Sequence, residues 1–424
     1  MFKRTSQFYN NHKLTRYLKR QTTELSLQSL CKYGNHLTEK KLMDMSNFVK
    51  EEISVRLAKR INDFQSLPFV TVNSSHLQDV YDLYWESFLM FSTFPIIHSM
   101  RNHDEFLNMM KTNLRNHLVV IPKISMGIHE AGKTTDATLL NSFTHRILRS
   151  RISRRVLAQQ LLSLTEQYKL KGHCPNEIYT MKTANGDIGI VSTQLDIKET
   201  LMEMYDATSK ILKKHYERIP EIEISGQHSI KMMAIKEHLQ YILLEILKNA
   251  LEATVKWNTL GYVNKKWFNK HPTNLLPKLR VTLVENEFNT CIRLSDRGGG
   301  IDNQTLSTMF DFTKQEAKLK SKKFEKLKYF AGTTHEQLQE DAIQNLDVNK
   351  DKAEHLHEIQ EKILKEFLVA STNKNKPYHS PIHLGLGLPM SKVFLDYWNS
   401  EILIQSVDGF GTDVYLTINK VIHV

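Results

Sequence analysis

Residues 238–254 read HLQYILLEILKNALEAT, and the spacing of their polar positions organises the second half of the chain. Glu245, Lys248, Asn249 and Glu252 fall at i, i+3, i+4 and i+7, one polar stripe on a helix whose opposite side is leucine and isoleucine. A carboxylate and an amide one turn apart on such a stripe can point into one cavity. A helix face bathed in water has the same pattern, so the stretch needs support from elsewhere.

That support lies downstream. In Leu294-Ser295-Asp296-Arg297-Gly298-Gly299-Gly300-Ile301 an aspartate leaves a predicted strand into three glycines, which sets an acceptor beside backbone that a ligand can approach closely. A carboxylate so placed can accept the exocyclic amino group of adenine; the plainer alternative is a glycine turn closed by its own aspartate. Farther on, Gly385-Leu386-Gly387-Leu388-Pro389 precedes a predicted helix over Met390 to Tyr397, an arrangement that presents unblocked amides suited to phosphates. Gly409-Phe410-Gly411-Thr412-Asp413 follows, with Thr412 offering a hydroxyl. Neither glycine piece has the spacing of a P-loop or a dinucleotide fingerprint. His238, His383 and Glu245 lack the spacing of a metal site.

Around these segments the pattern predicts mixed α/β structure. Strands are expected at 177–181 and 186–191 about the Asn185-Gly186 turn, at 279–287 and 290–295, and at 401–407 and 412–418 about Asp408-Gly409, with a helix over 200–216. A Lys/Glu-rich segment, 314–379, reads as a long insertion containing a solvated helix, with Leu356, Ile359, Ile363 and Phe367 at helical spacing. The first half differs. Stretches 48–67, 81–94, 105–117 and 137–168 each carry one apolar stripe, which predicts a helical bundle and a domain boundary between 171 and 195.

The whole chain has 424 residues, with 57 Lys and Arg against 46 Asp and Glu. The resulting +11 attracts anions, but no compact nucleic-acid motif accompanies it. Cys31, Cys174 and Cys291 have no CxxC spacing, which points to a reducing compartment and no thiolate zinc site. No apolar run is long enough for a membrane span. Residues 1–23 hold six basic and no acidic side chains and lack an apolar core, as a mitochondrial targeting segment does; a basic tail is the alternative.

The order of carboxylate/amide helix, Asp-Gly-rich turn, lid and glycine turn resembles the Bergerat-fold (GHKL) ATPases. Glu245-x-x-Lys248-Asn249-Ala250 with Ala253-Thr254, Ser295 to Gly300, and Gly409 to Asp413 together resemble the mitochondrial kinases of 2-oxo-acid dehydrogenase complexes, namely the pyruvate and branched-chain 2-oxo-acid dehydrogenase kinases. Val55 to Ala58, Leu67-Pro68, Asn116 to Pro122 and Phe143 to Leu157 extend the resemblance to the first half.

The resemblance implies an α+β protein: a targeting segment at 1–30, a four-helix bundle at 31–185 that docks a lipoyl domain and regulates, and an ATP-binding α/β sandwich at 186–424. It implies a serine kinase of the mitochondrial matrix that uses ATP and Mg²⁺ to inactivate the E1α subunit of the pyruvate or branched-chain complex. Its expected partners are that subunit, the lipoyl domain of E2 and a second copy of the chain. In this reading Glu245 is the general base and Asn249 the Mg²⁺ ligand, while Asp296 reads adenine. Glu252, Gly298, Gly300, Thr313, Leu384, Gly385, Leu386, Gly387, Leu388 and Thr412 line the nucleotide.

The sequence departs from the family in several places, among them the stretch around Phe310 to Thr313 in place of the usual Ser-Thr pair and a lid longer than usual. Tyr241 stands where many pyruvate dehydrogenase kinases have histidine, Glu252 replaces an arginine, and His383 replaces the first glycine of the glycine box. Two alternative functions follow: a histidine kinase of the same superfamily, and a regulator that binds ATP or lipoyl domains but has lost phosphotransfer.

Overall fold

The computed structural model describes residues 12–34, 37–170, 186–213, 215–264, 276–313 and 386–420. The chain divides into two compact units, Met1–Thr193 and Gln194–Val424. The expected strand at 177–181 and the insertion at 314–379 lie outside the described residues.

The first unit is helical. Two short helices, α1 (His12–Leu18) and α2 (Leu27–Gly34), precede α3 (Glu39–Gln65), the one-turn α4 (Phe69–Val72), α5 (Ser75–Thr93), α6 (Met100–Asn116), α7 (Val120–Ala131) and α8 (Ala137–Leu170). Helix α3 packs on α5, α6 and α8, and α7 on α5 and α8. Apolar side chains every three or four residues meet at the centre, where the Phe64 ring stands edge-on to Phe143 at 4.9 Å and to Tyr84 at 6.0 Å. Each such side chain contributes about 1.5–3 kcal/mol of burial.

These helices begin earlier than their apolar stripes suggest, because their first turns are fixed by caps. Thr38 accepts a hydrogen bond from the Lys41 amide and starts α3 nine residues before the expected 48; Ser99 accepts from the Asn102 amide and starts α6 at Met100 rather than 105. Polar side chains are also satisfied inside the unit. Ser46 Oγ meets His103 Nδ1 at 2.7 Å and Thr165 Oγ1 meets His103 Nε2 at 3.1 Å.

A small hairpin, β1 (Asp187–Ile188) and β2 (Val191–Asp196), turns at Gly189-Ile190, inside the stretch 186–191 expected as one strand, while the expected Asn185-Gly186 turn begins outside the described residues. The cause is a long-range contact. Gln160, fully buried in α8, accepts from the Ile190 amide at 2.8 Å and donates to the carbonyls of Leu30 at 3.1 Å and Ile188 at 3.3 Å.

The second unit is mixed α/β. Asp196 caps α9 (Ile197–Leu212), accepting from the Glu199 amide at 2.9 Å, so this helix starts and ends earlier than the expected 200–216. After β3 (Ile222–Gly226) and β4 (Lys231–Ala234) comes the long α10 (Lys236–Asn264), followed by β5 (Leu279–Glu285), β6 (Asn289–Ser295), α11 (Asn303–Thr308), α12 (Gly387–Tyr397), β7 (Glu401–Val407) and β8 (Gly411–Asn419). Among the described residues the main sheet has the order β3-β5-β6-β8-β7, parallel between β3 and β5 and antiparallel elsewhere. A parallel pair needs a crossover, and α10 supplies it. Leu279, Val281, Leu283, Ile292, Leu294, Val414 and Leu416 are buried, while α10 packs on α9 and α12.

Candidate functional site

Two positions in the middle of α10 gather the residues that the sequence singles out. At the first, Glu245 is 4% exposed and receives Lys248 Nζ on Oε2 at 2.6 Å, a buried pair formed by neighbours on one helical face. The same oxygen abuts Gly387, where a Cβ would collide with it. Gly387 is thus the first residue of α12, whereas the sequence had that helix beginning at Met390; Leu386, buried, is its N-cap and Leu388 is half-buried beside it. Asn249 is half-buried on the next turn of α10.

Eight residues along from Glu245, about 12 Å at 1.5 Å per residue, Gly298 lies against Ala253, where a Cβ would come within 2.6 Å of the alanine Cβ. This contact seats the Asp296 loop on the helix. Asp296 is buried, and its Oδ1 accepts from the amides of Gly298 at 2.8 Å and Thr412 at 3.2 Å. Oδ2 accepts nothing among the described residues. Burial pushes the carboxyl up to about 6, partly opposed by the two amides. Gly300 has φ +76° and runs beneath the β7–β8 turn, where the Gly409 amide donates to the Gly299 carbonyl at 2.7 Å. Thr412 Oγ1 is 3.0 Å from Ser406 Oγ. Thr313 has a buried hydroxyl with no hydrogen-bond partner among the described residues.

Glu252 has a different setting from the rest of its stripe. Tyr216 donates to its Oε1 at 3.0 Å and Lys256 Nζ lies 2.7 Å from the same oxygen. Burial, then the Glu252 charge, pushes the Tyr216 phenol upward, which keeps it a donor. His238 accepts from Trp398 Nε1 at 3.0 Å and touches Phe394, a packing role. Leu384, Gly385 and His383 lie outside the described residues. No group of three or more His, Cys, Asp or Glu side chains among the described residues is arranged to hold a metal ion.

The residues fit a nucleotide. An open carboxylate oxygen matches an amino donor, glycine backbone allows close approach, and an unpaired buried hydroxyl awaits a partner. The spacing of about 12 Å between these two positions of α10 suits a base at the second and a phosphate chain at the first. Asn249 offers the hard oxygen that Mg²⁺ prefers.

A second concave site lies within the helical unit and was not read from the sequence. Arg151, Arg154 and Arg155 of α8 converge on a small cavity with His117 and Asn113. All three arginines are buried, and Nη2 of Arg154 has no hydrogen-bond partner among the described residues. Burial, then Arg154 and Arg151, holds His117 well below its ordinary range, so the imidazole is neutral. The sequence signal was three arginines in the five residues 151–155, set among Ile152, Val156 and Leu157.

Residues 24–192 match the family model described as mitochondrial branched-chain alpha-ketoacid dehydrogenase kinase. A mitochondrial [pyruvate dehydrogenase (acetyl-transferring)] kinase 2 of Saccharomyces cerevisiae is 28% identical over 97% of this chain and 85% of its own length. The chain is homologous to this group of kinases. The mitochondrial [pyruvate dehydrogenase (acetyl-transferring)] kinase of Arabidopsis thaliana is 24% identical over 94% of this chain and 90% of its own length, and that of Schizosaccharomyces pombe is 22% identical over 94% of this chain and 93% of its own length. The homology spans both units, so neither the helical unit nor the α/β unit is a foreign addition.

Proposed function

We propose that this chain is an ATP-dependent protein serine kinase of the mitochondrial matrix, with a four-helix bundle and a Bergerat-fold nucleotide domain. Its substrate in this reading is the E1α subunit of the pyruvate or branched-chain 2-oxo-acid dehydrogenase complex, which phosphorylation inactivates. The observation that carries the reading is α10, with a buried carboxylate at Gly387 and, in the loop that Gly298 seats against Ala253, an aspartate with an open oxygen. The names of the relatives support the substrate class and the location.

Asp296 accepts the adenine amino group through Oδ2, with Gly298, Gly300, Thr313 and Thr412 around the nucleoside. Leu384, Gly385, Leu386, Gly387 and Leu388 enclose the phosphates. Asn249 would hold Mg²⁺, which supplies charge neutralisation at the phosphates. Glu245 takes the proton of the substrate serine as its oxygen bonds to the γ-phosphorus and the bond to the β-phosphate oxygen breaks, releasing ADP. Such a transfer needs in-line placement and electrostatic stabilisation more than covalent help. Glu252 positions the 215–221 segment through Tyr216.

The bundle docks the lipoyl domain of E2 in this reading, and the chain acts as a homodimer. The arginine-lined cavity is its regulatory site, accepting a small carboxylate on the unpaired Arg154 nitrogen.

Transfer from γ-labelled ATP to purified pyruvate and branched-chain E1, each with its lipoylated E2, tests the function. The expected result is acid-stable labelling of one E1α serine that falls at least a hundredfold in Glu245→Gln. Binding of Mg·ATP without labelling of either E1 overturns the kinase reading in favour of a regulator, and acid-labile phosphate favours a histidine kinase.

A further inference from the structure

Lys248 is the one member of the α10 stripe to which the proposed chemistry gives no task. Its ammonium lies 2.6 Å from Glu245 Oε2, and the two side chains are 11% and 5% exposed. On its other side that oxygen faces the backbone of Gly387. Oε2 is therefore held between an ammonium and a helix start, and the ammonium charge lowers the basicity of the carboxylate while the lysine stays on it.

A buried ammonium needs an anionic partner at all times, because an unpaired charge out of water is strongly unfavourable. Glu245 is that partner here. A terminal phosphate carries more charge than a carboxylate and offers more oxygens, so on the same stripe it outcompetes Glu245 for a single cation.

We infer that Lys248 is exchanged between Glu245 and the terminal phosphate of the bound nucleotide, so that loading with ATP withdraws the cation from the carboxylate that receives the serine proton and makes it a stronger base. The carboxylate carries the lysine in one arrangement and is free of it in the other. No bond is made or broken in the exchange; an ion pair changes partner. The inference rests on the nucleotide reading above.

Competition for one cation has a thermodynamic signature, since two ligands that share a partner must weaken one another. Calorimetric titration with Mg·ATP, Mg·ADP and AMP, on wild type, Glu245→Gln, Lys248→Met and the double variant, reads it without turnover. Glu245→Gln frees the lysine and is expected to bind Mg·ATP about 5- to 10-fold more tightly than wild type, with AMP unchanged. Lys248→Met is expected to bind Mg·ATP at least 10-fold more weakly, again with AMP unchanged. In the Lys248→Met background, adding Glu245→Gln is expected to give no tightening.

If Glu245→Gln tightens Mg·ATP binding equally with and without Lys248, the effect is simple repulsion between carboxylate and phosphate, and the exchange is wrong. It is equally wrong if Glu245→Gln has no effect on wild type. Should Lys248→Met fail to fold, Lys248→Gln keeps a hydrogen bond to the carboxylate without the charge and is read in the same cycle. If wild type binds neither Mg·ATP nor AMP, the nucleotide-site reading itself has failed, which is a different result from an additive cycle.

Discussion

At Asp296 two opposed effects meet on one oxygen pair. Burial disfavours the charge, two backbone amides favour it, and burial wins, leaving the carboxyl near 6. A ligand amino group needs the ionised acceptor, so the proposed Mg·ATP affinity is expected to fall as pH drops below 6, approaching tenfold per unit; binding titrations at pH 5 and 7 check it. The stability effect has the opposite sign. The folded carboxyl holds its proton more tightly than the unfolded chain does, so the nucleotide-free unit gains from Asp296 as pH falls through 6 and loses that gain as pH rises through it. Asp296→Asn keeps an oxygen for the Gly298 and Thr412 amides but sets a donor against the ligand's donor, and is expected to lower Mg·ATP affinity about 10- to 100-fold with little change in melting. Gly387→Ala drives a methyl group into Glu245 and is expected to depress phosphotransfer far more than nucleotide binding.

Helix α8 shows why parts of the molecule are hard to read in sequence. Its buried residues run round the whole circumference, including Arg151, Arg154, Arg155 and Gln160, so no single stripe separates inside from outside. Helix interiors such as Val49, Ile53, Leu57 and Ile61 were legible because hydrophobic burial imposes a period. The starts of α3 and α6 were not, because a capping hydroxyl is a local signal with no period. The glycines and carboxylates of the α10 site stood out by residue type, while Tyr216 and Gln160 gave no signal because their partners are far along the chain. Gln160→Ala leaves three backbone groups without their bonds and is expected to destabilise the helical unit by about 2 kcal/mol, measurable by urea unfolding. His103 and His117 are both held below the ordinary imidazole range by burial first. The unfolded chain therefore binds their protons more readily, and the helical unit is expected to lose up to about 1.4 kcal/mol per histidine for each pH unit below 6.5.

The molecule as a whole has two cores, one in each compact unit. Scanning calorimetry is expected to resolve two transitions, with Mg·ATP raising the one from 194–424 and a small monocarboxylate raising the one from 1–193. A nucleotide that shifts the helical transition alone would contradict the site assignment. The parallel pairing of β3 with β5 also has a consequence for how the chain is made. The ribosome delivers β3 long before its partner, since Ile222 waits for Leu279 and the whole of α10 lies between them. During that interval the newborn protein carries an unpaired strand edge and a helix whose apolar side has no sheet to cover. Pausing of synthesis within α10 therefore exposes the most adhesive intermediate of the α/β unit, and a holding chaperone is of greatest use at that point.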